Sequence, residues 1–481
     1  MKQKQHLIAV AVCFIAAVIG AGYSIAALAA ETADVTYRTH VTVGDAENAK
    51  GLIIQETSTL DHHAFWNTET RIGTSLPESG TEFAYHTNRD TSDGTRVPNG
   101  TPLDFSSDLT FEGGFMSNDN TETETAPDGI AAVYAALYAR APIGEEVKEE
   151  IKLSDVCTYY PISLRGAGSG VENDRLAAVL NDCFRIPVLE EETYEIHLTR
   201  NSDTSTSWGS SSIGADSYTL WTCSALKLDA DATGDGENSN LFGSTGRSND
   251  GTHGSCYVAF SARTQKGKLV DTSEIRDGFG IYKMDCTVQP YRGTLYDADS
   301  LSLFCPLPPQ TEICDLYLNG EGTQLLLVTK AGEHAVGISV YALESGICTQ
   351  SITLDIEDGA YSHIITEDGY MVVVTTNALC VLTEDDGVWS EEFTAQTQGI
   401  WEDEILSNNL SALVTAFDGQ RLAAACGLNR ICGYAAAVYT KEGCIYAATM
   451  ESSLNTPAKR KETTWNSAYD AMQLALRVQW E

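Results

Sequence analysis

The chain has 481 residues, 30 of them Lys or Arg and 67 Asp or Glu, for a net charge of −37. Nucleic acid and anionic membrane surfaces are poor partners for such a chain, because phosphate binding needs a basic footprint. Its hydrophobic content of 43% is ordinary, so a sizeable core is available. The acidic balance favours solubility, divalent cations or basic partners.

Residues 1–6 form a short positive start, and residues 7–30 then run for 24 positions without a charge. About 20 apolar residues span a bilayer. Two readings of this stretch stand. A secretory signal would end at the small-residue site Ala27, Leu28, Ala29, with cleavage beside Ala30. A retained transmembrane anchor would keep the whole run, with Lys2 and Lys4 inside and Glu31 onward outside. The length favours the anchor and the Ala-rich end favours cleavage. Cys13 follows Val12 and lacks the small-residue context expected before a lipid-modified cysteine. On either reading residues 31–481 are exported, to the outer face of a cell membrane or as a secreted chain.

Residues 31–254 read as irregular strands with long polar loops. Strand-like pieces occur at 37–43, 51–57, 82–87 and 103–111, and residues 147–153 alternate charge and aliphatic. Residues 130–139, preceded by Pro127 and Asp128, predict a short helix. The clearest helix is 174–184, where Leu176, Val179, Leu180 and Phe184 fall on one face and Asn173 or Asp174 can cap the start. A helix among strands of this kind is expected to be an insertion covering one rim. The stretch 166–170 (GAGSG) has neither the spacing of a dinucleotide fingerprint nor a Gly-x-Ser-x-Gly frame, and reads as a flexible connection.

Residues 217–229 predict one long strand or a pair. A polar run follows in which Asp229, Asp231, Thr233 and Asp235 alternate and Gly234 stands at the sixth position. Oxygen donors at positions one, three and five can converge on one hard cation, as in a calcium loop. The match is partial, since position twelve is Asn240 instead of a bidentate Glu, and the alternative reading is an acidic hairpin tip. His62 and His63 near Trp66, and isolated His253, lack ligand spacing.

From 255 to 454 the rhythm is regular. Residues 255–262, 280–288 and 301–305 continue it, and from 312 the same phrase occurs three times: an apolar run after an acidic or Gly turn, a second run, another tight turn, a third run. The runs are 324–330, 338–343 and 347–354; then 370–376, 379–384 and 389–395; then 421–426, 436–441 and 445–450. Gly320, Gly369 and Gly419 stand 49 and 50 residues apart. Val, Ile, Leu, Thr and Tyr dominate, as a half-buried pleated surface favours, and Asp-Gly or Glu-Gly pairs supply the positive φ of hairpin turns. Strand–turn grammar at a fixed period near 50 reads as blades of a β-propeller. The competing reading is an ordinary antiparallel sandwich. The expected fold is therefore all-β: a propeller of four-stranded blades over residues 31–481, irregular in 31–254 and regular in 255–454, with a short helical insertion, preceded by an N-terminal transmembrane or signal helix at 1–30. Residues 474–480 predict a closing strand that completes an N-terminal blade.

Twelve cysteines lie beyond the apolar run. Cys305 with Cys314, and Cys426 with Cys432, are expected local disulfide pairs, whereas others, such as Cys380 inside an apolar strand, read as small core residues. No Cys-x-x-Cys spacing occurs, which disfavours zinc and thioredoxin-like chemistry. Lys459, Arg460 and Lys461 read as a solvated loop.

The repeat pattern, best over 255–454, resembles divergent propeller repeats of bacterial exported proteins, of YVTN and quinoprotein type. With the N-terminal apolar run and the segment 180–188 (LNDCFRIPV), the chain also resembles uncharacterised membrane-anchored proteins of Gram-positive bacteria. Neither resemblance brings matching catalytic motifs, and the tryptophan-rich cofactor-docking signature of quinoproteins is not evident. The function expected is an extracytoplasmic binding or scaffold module for a protein or cell-envelope ligand. The alternative is an extracytoplasmic hydrolase with carboxylates in the propeller channel.

Overall fold

The computed structural model describes residues 35–60, 64–73, 78–85, 105–107, 133, 136–137, 139–164, 171–199, 220–229, 252–264, 267–289, 293–356, 360–397, 413–428, 433–454 and 473–481. The chain forms two compact units, Met1–Arg96 with Ile356–Glu481, and Val97–Asp355. No described helix is long and apolar enough to cross a membrane; the uncharged run 7–30 lies outside the described residues.

The first unit opens with β1 (Tyr37–Gly44), β2 (Leu52–Leu60), β3 (Ala64–Arg71) and β4 (Glu78–Tyr85). The second unit holds β5 (Phe105–Ser107), β6 (Glu146–Lys152), β7 (Ser163–Leu164), the helix α1 (Val171–Cys183), β8 (Thr193–Thr199), β9 (Leu220–Leu228), β10 (Thr252–Phe260), β11 (Gly280–Gln289), β12 (Gly293–Tyr296) and β13 (Ser302–Pro306). It ends with β14 (Ile313–Leu318), β15 (Gln324–Lys330), β16 (Ala335–Ala342) and β17 (Cys348–Asp355). The chain then returns to the first unit with β18 (Tyr361–Glu367), β19 (Tyr370–Thr375), β20 (Ala378–Asp385), β21 (Val388–Gln396), β22 (Val414–Phe417), β23 (Leu422–Gly427), β24 (Gly433–Thr440), β25 (Gly443–Ser452) and β26 (Gln473–Trp480).

Each sequence repeat is one antiparallel sheet: β14 to β17, β18 to β21, and β22 to β25. The first strand of each, β14, β18 or β22, precedes the Gly turn that opens the repeat. The third sheet gains β1 at its edge, and β26 pairs with β2 in the sheet β26-β2-β3-β4. The closing strand predicted at 474–480 is thus present. In the second unit, β12-β11-β10-β9-β5-β7 form a seven-stranded sheet with β13 also on β11, and β6 pairs with β8.

Side-chain parity shows how the first unit stacks. Leu422, Ala424 and Cys426 pack with Val372, Val374, Leu379 and Val381 of the preceding sheet. The alternate residues Ala423 and Ala425, with Tyr434, Ala436 and Val438, pack with Leu52 and Ile54 of the following one. The sheet containing β22 to β25 is therefore covered on both faces, the middle layer of three. A two-layer sandwich would leave one face of each sheet to solvent. Alanine on both faces of β23 suits a layer clasped from both sides. Turn chemistry follows the sequence closely: Asp386 and Gly387 have φ of 48° and 79°, and Asp385 pairs with Val388 across them, the two-residue loop that suits strand twist.

Two local expectations need correction. Helix α1 begins at Val171, so Asn173 and Asp174 lie within its first turn and do not cap it. Nor does α1 merely cover a rim. Leu176, Leu180 and Cys183 are buried in the main core of the second unit, and Phe184, just past the helix, sits with its ring 5.4 Å from that of Phe260 and 4.9 Å from that of Tyr282. The apolar face of the helix finds its partner in the seven-stranded sheet. Asn181 fastens it, accepting from Ile162 N–H at 2.9 Å and donating to the carbonyls of Ile162 (2.9 Å) and Ala177 (2.8 Å). The described residues of 130–139, namely 133, 136, 137 and 139, are helical, as predicted.

Candidate functional site

In the first unit a carboxylate is buried against two hydroxyls. Along β2, Leu52, Ile54, Glu56 and Ser58 alternate onto one face, and all four are buried. The first two enter the apolar core; Glu56 and Ser58 continue that face with polar groups. Directly opposite on β3 stand Thr70 against Ile54, Thr68 against Glu56 and Trp66 against Ser58.

Glu56 is 2% exposed. Tyr37 on β1 donates its hydroxyl to Glu56 Oε2 at 2.6 Å, and Ser58 donates to Oε1 at 2.6 Å. Each carboxylate oxygen thus holds one hydroxyl. Burial pushes the Glu56 carboxyl above its ordinary value of 4.5, opposed by the bonds from Ser58 and Tyr37. Burial, followed by the Glu56 charge, pushes the Tyr37 phenol up as well. The Tyr434 ring on β24 meets Tyr37 edge-on at 5.4 Å. Its buried hydroxyl lies beside the buried Thr70 hydroxyl, yet neither reaches hydrogen-bond geometry. Burying a hydroxyl unpaired costs about 1–3 kcal/mol, so the cluster is held in place by the surrounding sheets.

This arrangement ties three strands: β1 and β24 of one sheet, and β2 of the next. A carboxylate so enclosed is not presented to a substrate. It is a polar strut, sensitive to protonation, between the N-terminal strand and its neighbour. Sequence reading took 51–57 as a strand but gave Glu56 no role. The signal was there in the even-numbered face: two aliphatics followed by Glu and Ser on the buried side.

Of the predicted calcium ligands, Asp229 is exposed at the end of β9, its N–H donating to the His253 carbonyl at 3.0 Å. Asp231, Thr233 and Asp235 lie outside the described residues. Among the described residues no group of three or more His, Cys, Asp and Glu side chains could hold a metal ion. His253 Nδ1 meets Thr287 Oγ1 across the β10–β11 ladder at 3.2 Å. His62, His63, the 166–170 stretch and Lys459 to Lys461 are outside the described residues. The expected cysteine pairing is corrected: Cys305 and Cys314 are both free thiols, on β13 and β14, and Cys426 is a buried free thiol, with Cys432 outside the described residues. Cys305 donates to the Pro306 carbonyl at 3.5 Å, while Cys314 lies beside another strand altogether, β9. Cys380 is a buried core residue, as expected.

No family model matches the chain, and no curated protein matches it. Among solved structures it is similar to Kluyvelomyces marxianus Hsv2, at 8% identity and a TM-score of 0.21, over 40% of this chain and 60% of that one. It is similar to a putative 6-phosphogluconolactonase from Bacteroides uniformis, at 13% identity and TM-score 0.24, over 54% of this chain and 78% of that one. It is also similar to a quinonprotein alcohol dehydrogenase-like protein from Bacteroides thetaiotaomicron, at 9% identity and TM-score 0.20, over 86% of this chain and 94% of that one. Likeness at this level carries no chemistry across; the sheets themselves define an all-β protein built on four-stranded antiparallel units.

Proposed function

We propose that the chain is an extracytoplasmic β-propeller that acts as a binding or scaffold module, held at the cell membrane through residues 7–30 or secreted if that run is removed. The observation that carries this reading is a repeated hairpin tip. In the sheet β14 to β17, Ile347 follows Gly346 (φ 67°) at the turn into the outer strand and is 63% exposed. In the sheet β18 to β21, Val388 follows Gly387 (φ 79°) at the equivalent turn and is 58% exposed. Each unit thus exposes an aliphatic residue at a hairpin tip, as a contact site for a protein or envelope ligand on that unit would. The acidic balance of the chain favours a basic partner. A hydrolase would need two carboxylates sharing one opening. Glu56, whose carboxyl burial raises, is 2% exposed with each oxygen held by a hydroxyl, so it offers no open carboxylate.

Two measurements test this reading. Protease added to intact cells carrying the full chain with a C-terminal tag should digest the tag; complete protection would overturn the extracytoplasmic assignment. A photo-crosslinking residue placed at 347 or 388 should capture an envelope component that the same residue placed at Glu333 does not. Equal capture at all three positions, or none, would overturn the binding role of the hairpin tips.

A further inference from the structure

The second unit contains a pair of thiols that neither the repeats nor the binding reading uses. Strand β14 carries a bulge: Ile313 faces Thr329 and Asp315 faces Val328, which leaves Cys314 as the extra, unpaired residue. The same irregularity recurs in the next repeat, where Tyr361 faces Thr375 and His363 faces Val374, leaving Ser362 extra. A bulge bends its strand and re-aims the side chain it carries. In the second unit that redirected residue meets β9, which packs against β14. Cys223 on β9 points its Sγ at the backbone of Cys314, donating to that carbonyl at 3.3 Å. Both are free thiols, Cys223 buried and Cys314 half-buried.

We infer that Cys223 and Cys314 are a cross-linking site, a disulfide that staples the seven-stranded sheet to the first regular repeat across a sequence separation of 91 residues. The placement sets the Cys223 sulfur against the Cys314 backbone on the neighbouring strand, and a disulfide needs two cysteine backbones that close together. It also explains why the nearer cysteine in sequence, Cys305, is not the partner of Cys314: Cys305 sits on β13 and bonds to its own strand. Burial pushes Cys314 up to about 11, and burial and then Asp315 and Cys314 push Cys223 still higher. Thiolates are the attacking species, so the folded site reacts slowly and the bond forms while the chain is folding. In a glutathione buffer the Cys314 thiolate attacks glutathione disulfide and releases one glutathione. Cys223, losing its proton to solvent, then displaces the second from the mixed disulfide. Two cysteine thiols are oxidised and one glutathione disulfide is reduced to two glutathione thiols.

The test uses the full chain, purified in detergent, unfolded and refolded in oxidised and reduced glutathione, then alkylated and mapped by mass spectrometry without reduction. The buffer supplies the oxidant, so the result is independent of where the chain resides in a cell. The expected result is a linked peptide pair carrying Cys223 and Cys314, two hydrogens lighter than the separate peptides. It is retained in Cys305→Ser and lost in Cys314→Ser. The wild-type map decides the matter even if a variant fails to fold. Alkyl groups on both Cys223 and Cys314, or Cys314 linked to any other cysteine, would overturn the inference.

Discussion

Replacing Tyr37 with Phe keeps the ring that meets Tyr434 and removes only the hydroxyl that donates to Glu56 Oε2. The carboxylate is almost wholly enclosed, so water does not replace the lost donor. A hydrogen bond to a charged group contributes about 1.5–3 kcal/mol, and one between neutral groups about 0.5–1.5 kcal/mol. The cost of Tyr37→Phe therefore depends on whether Glu56 is ionised. Burial raises the folded carboxyl above 4.5. The protonated form is thus favoured by folding, and the stability this contributes is fully present below the unfolded value. It is lost as pH rises through the raised folded value. Tyr37→Phe should then be mild below the raised folded value of Glu56 and severe above it, where roughly 2–3 kcal/mol translates into about 4–12 °C in melting temperature for a unit of this size. Glu56→Gln should flatten the same pH dependence and raise stability relative to wild type above that value. Thermal unfolding followed by circular dichroism from pH 5 to 8 measures both. A Tyr37→Phe shift below about 1 °C throughout, with Glu56→Gln tracking wild type at every pH, would refute the strut.

Further outcomes follow from the same coordinates. Gly433 has φ of 140°, and a Cβ there would overlap the Met450 carbonyl oxygen on the paired strand, so Gly433→Ala should cost at least about 2 kcal/mol in denaturant unfolding. Asn181→Ala removes two bonds joining α1 to the 162 segment and one within α1 and should cost about 1–3 kcal/mol, read as faster hydrogen exchange at Ile162. Calcium should raise the melting temperature if Asp229, Asp231, Thr233 and Asp235 form a loop site, and EDTA should reverse the rise; an unchanged melt in both would remove that site.

Much of the layered architecture could be read from residues alone, because it is written in apolar runs and turn residues. Residues 325–328 and 371–374 are apolar on both faces, and all of them are buried. The leading strands β14, β18 and β22 were less visible. Their buried positions are sparse and broken by half-exposed Asp315, His363 or Thr366, so the period-two pattern is weak. The seven-stranded sheet was harder still, since β5, β7 and β9 come together across long stretches of sequence that carry no pairing signal. The buried carboxylate went unnoticed for a different reason: Glu at a strand position reads as a solvated face until the neighbours on that face are counted. Cysteine pairing misled because closeness in sequence stood in for closeness in space: Cys305 and Cys314 stand on different strands as free thiols.

The first unit is sewn together from both ends of the chain. Strand β1 completes a sheet whose other strands come more than 360 residues later, and β26 supplies the neighbour of β2. Trp480 on β26 donates its indole N–H to the Ala416 carbonyl at 3.1 Å, and the Arg421 guanidinium lies 3.9 Å from its ring centre. The second unit, by contrast, is one unbroken stretch of sequence. A growing polypeptide can therefore assemble the second unit early, while the first must wait until β26 has been made. A ribosome that stops before β26 leaves one edge of β2 unpaired, and the product is an incomplete fold instead of a slightly shorter one.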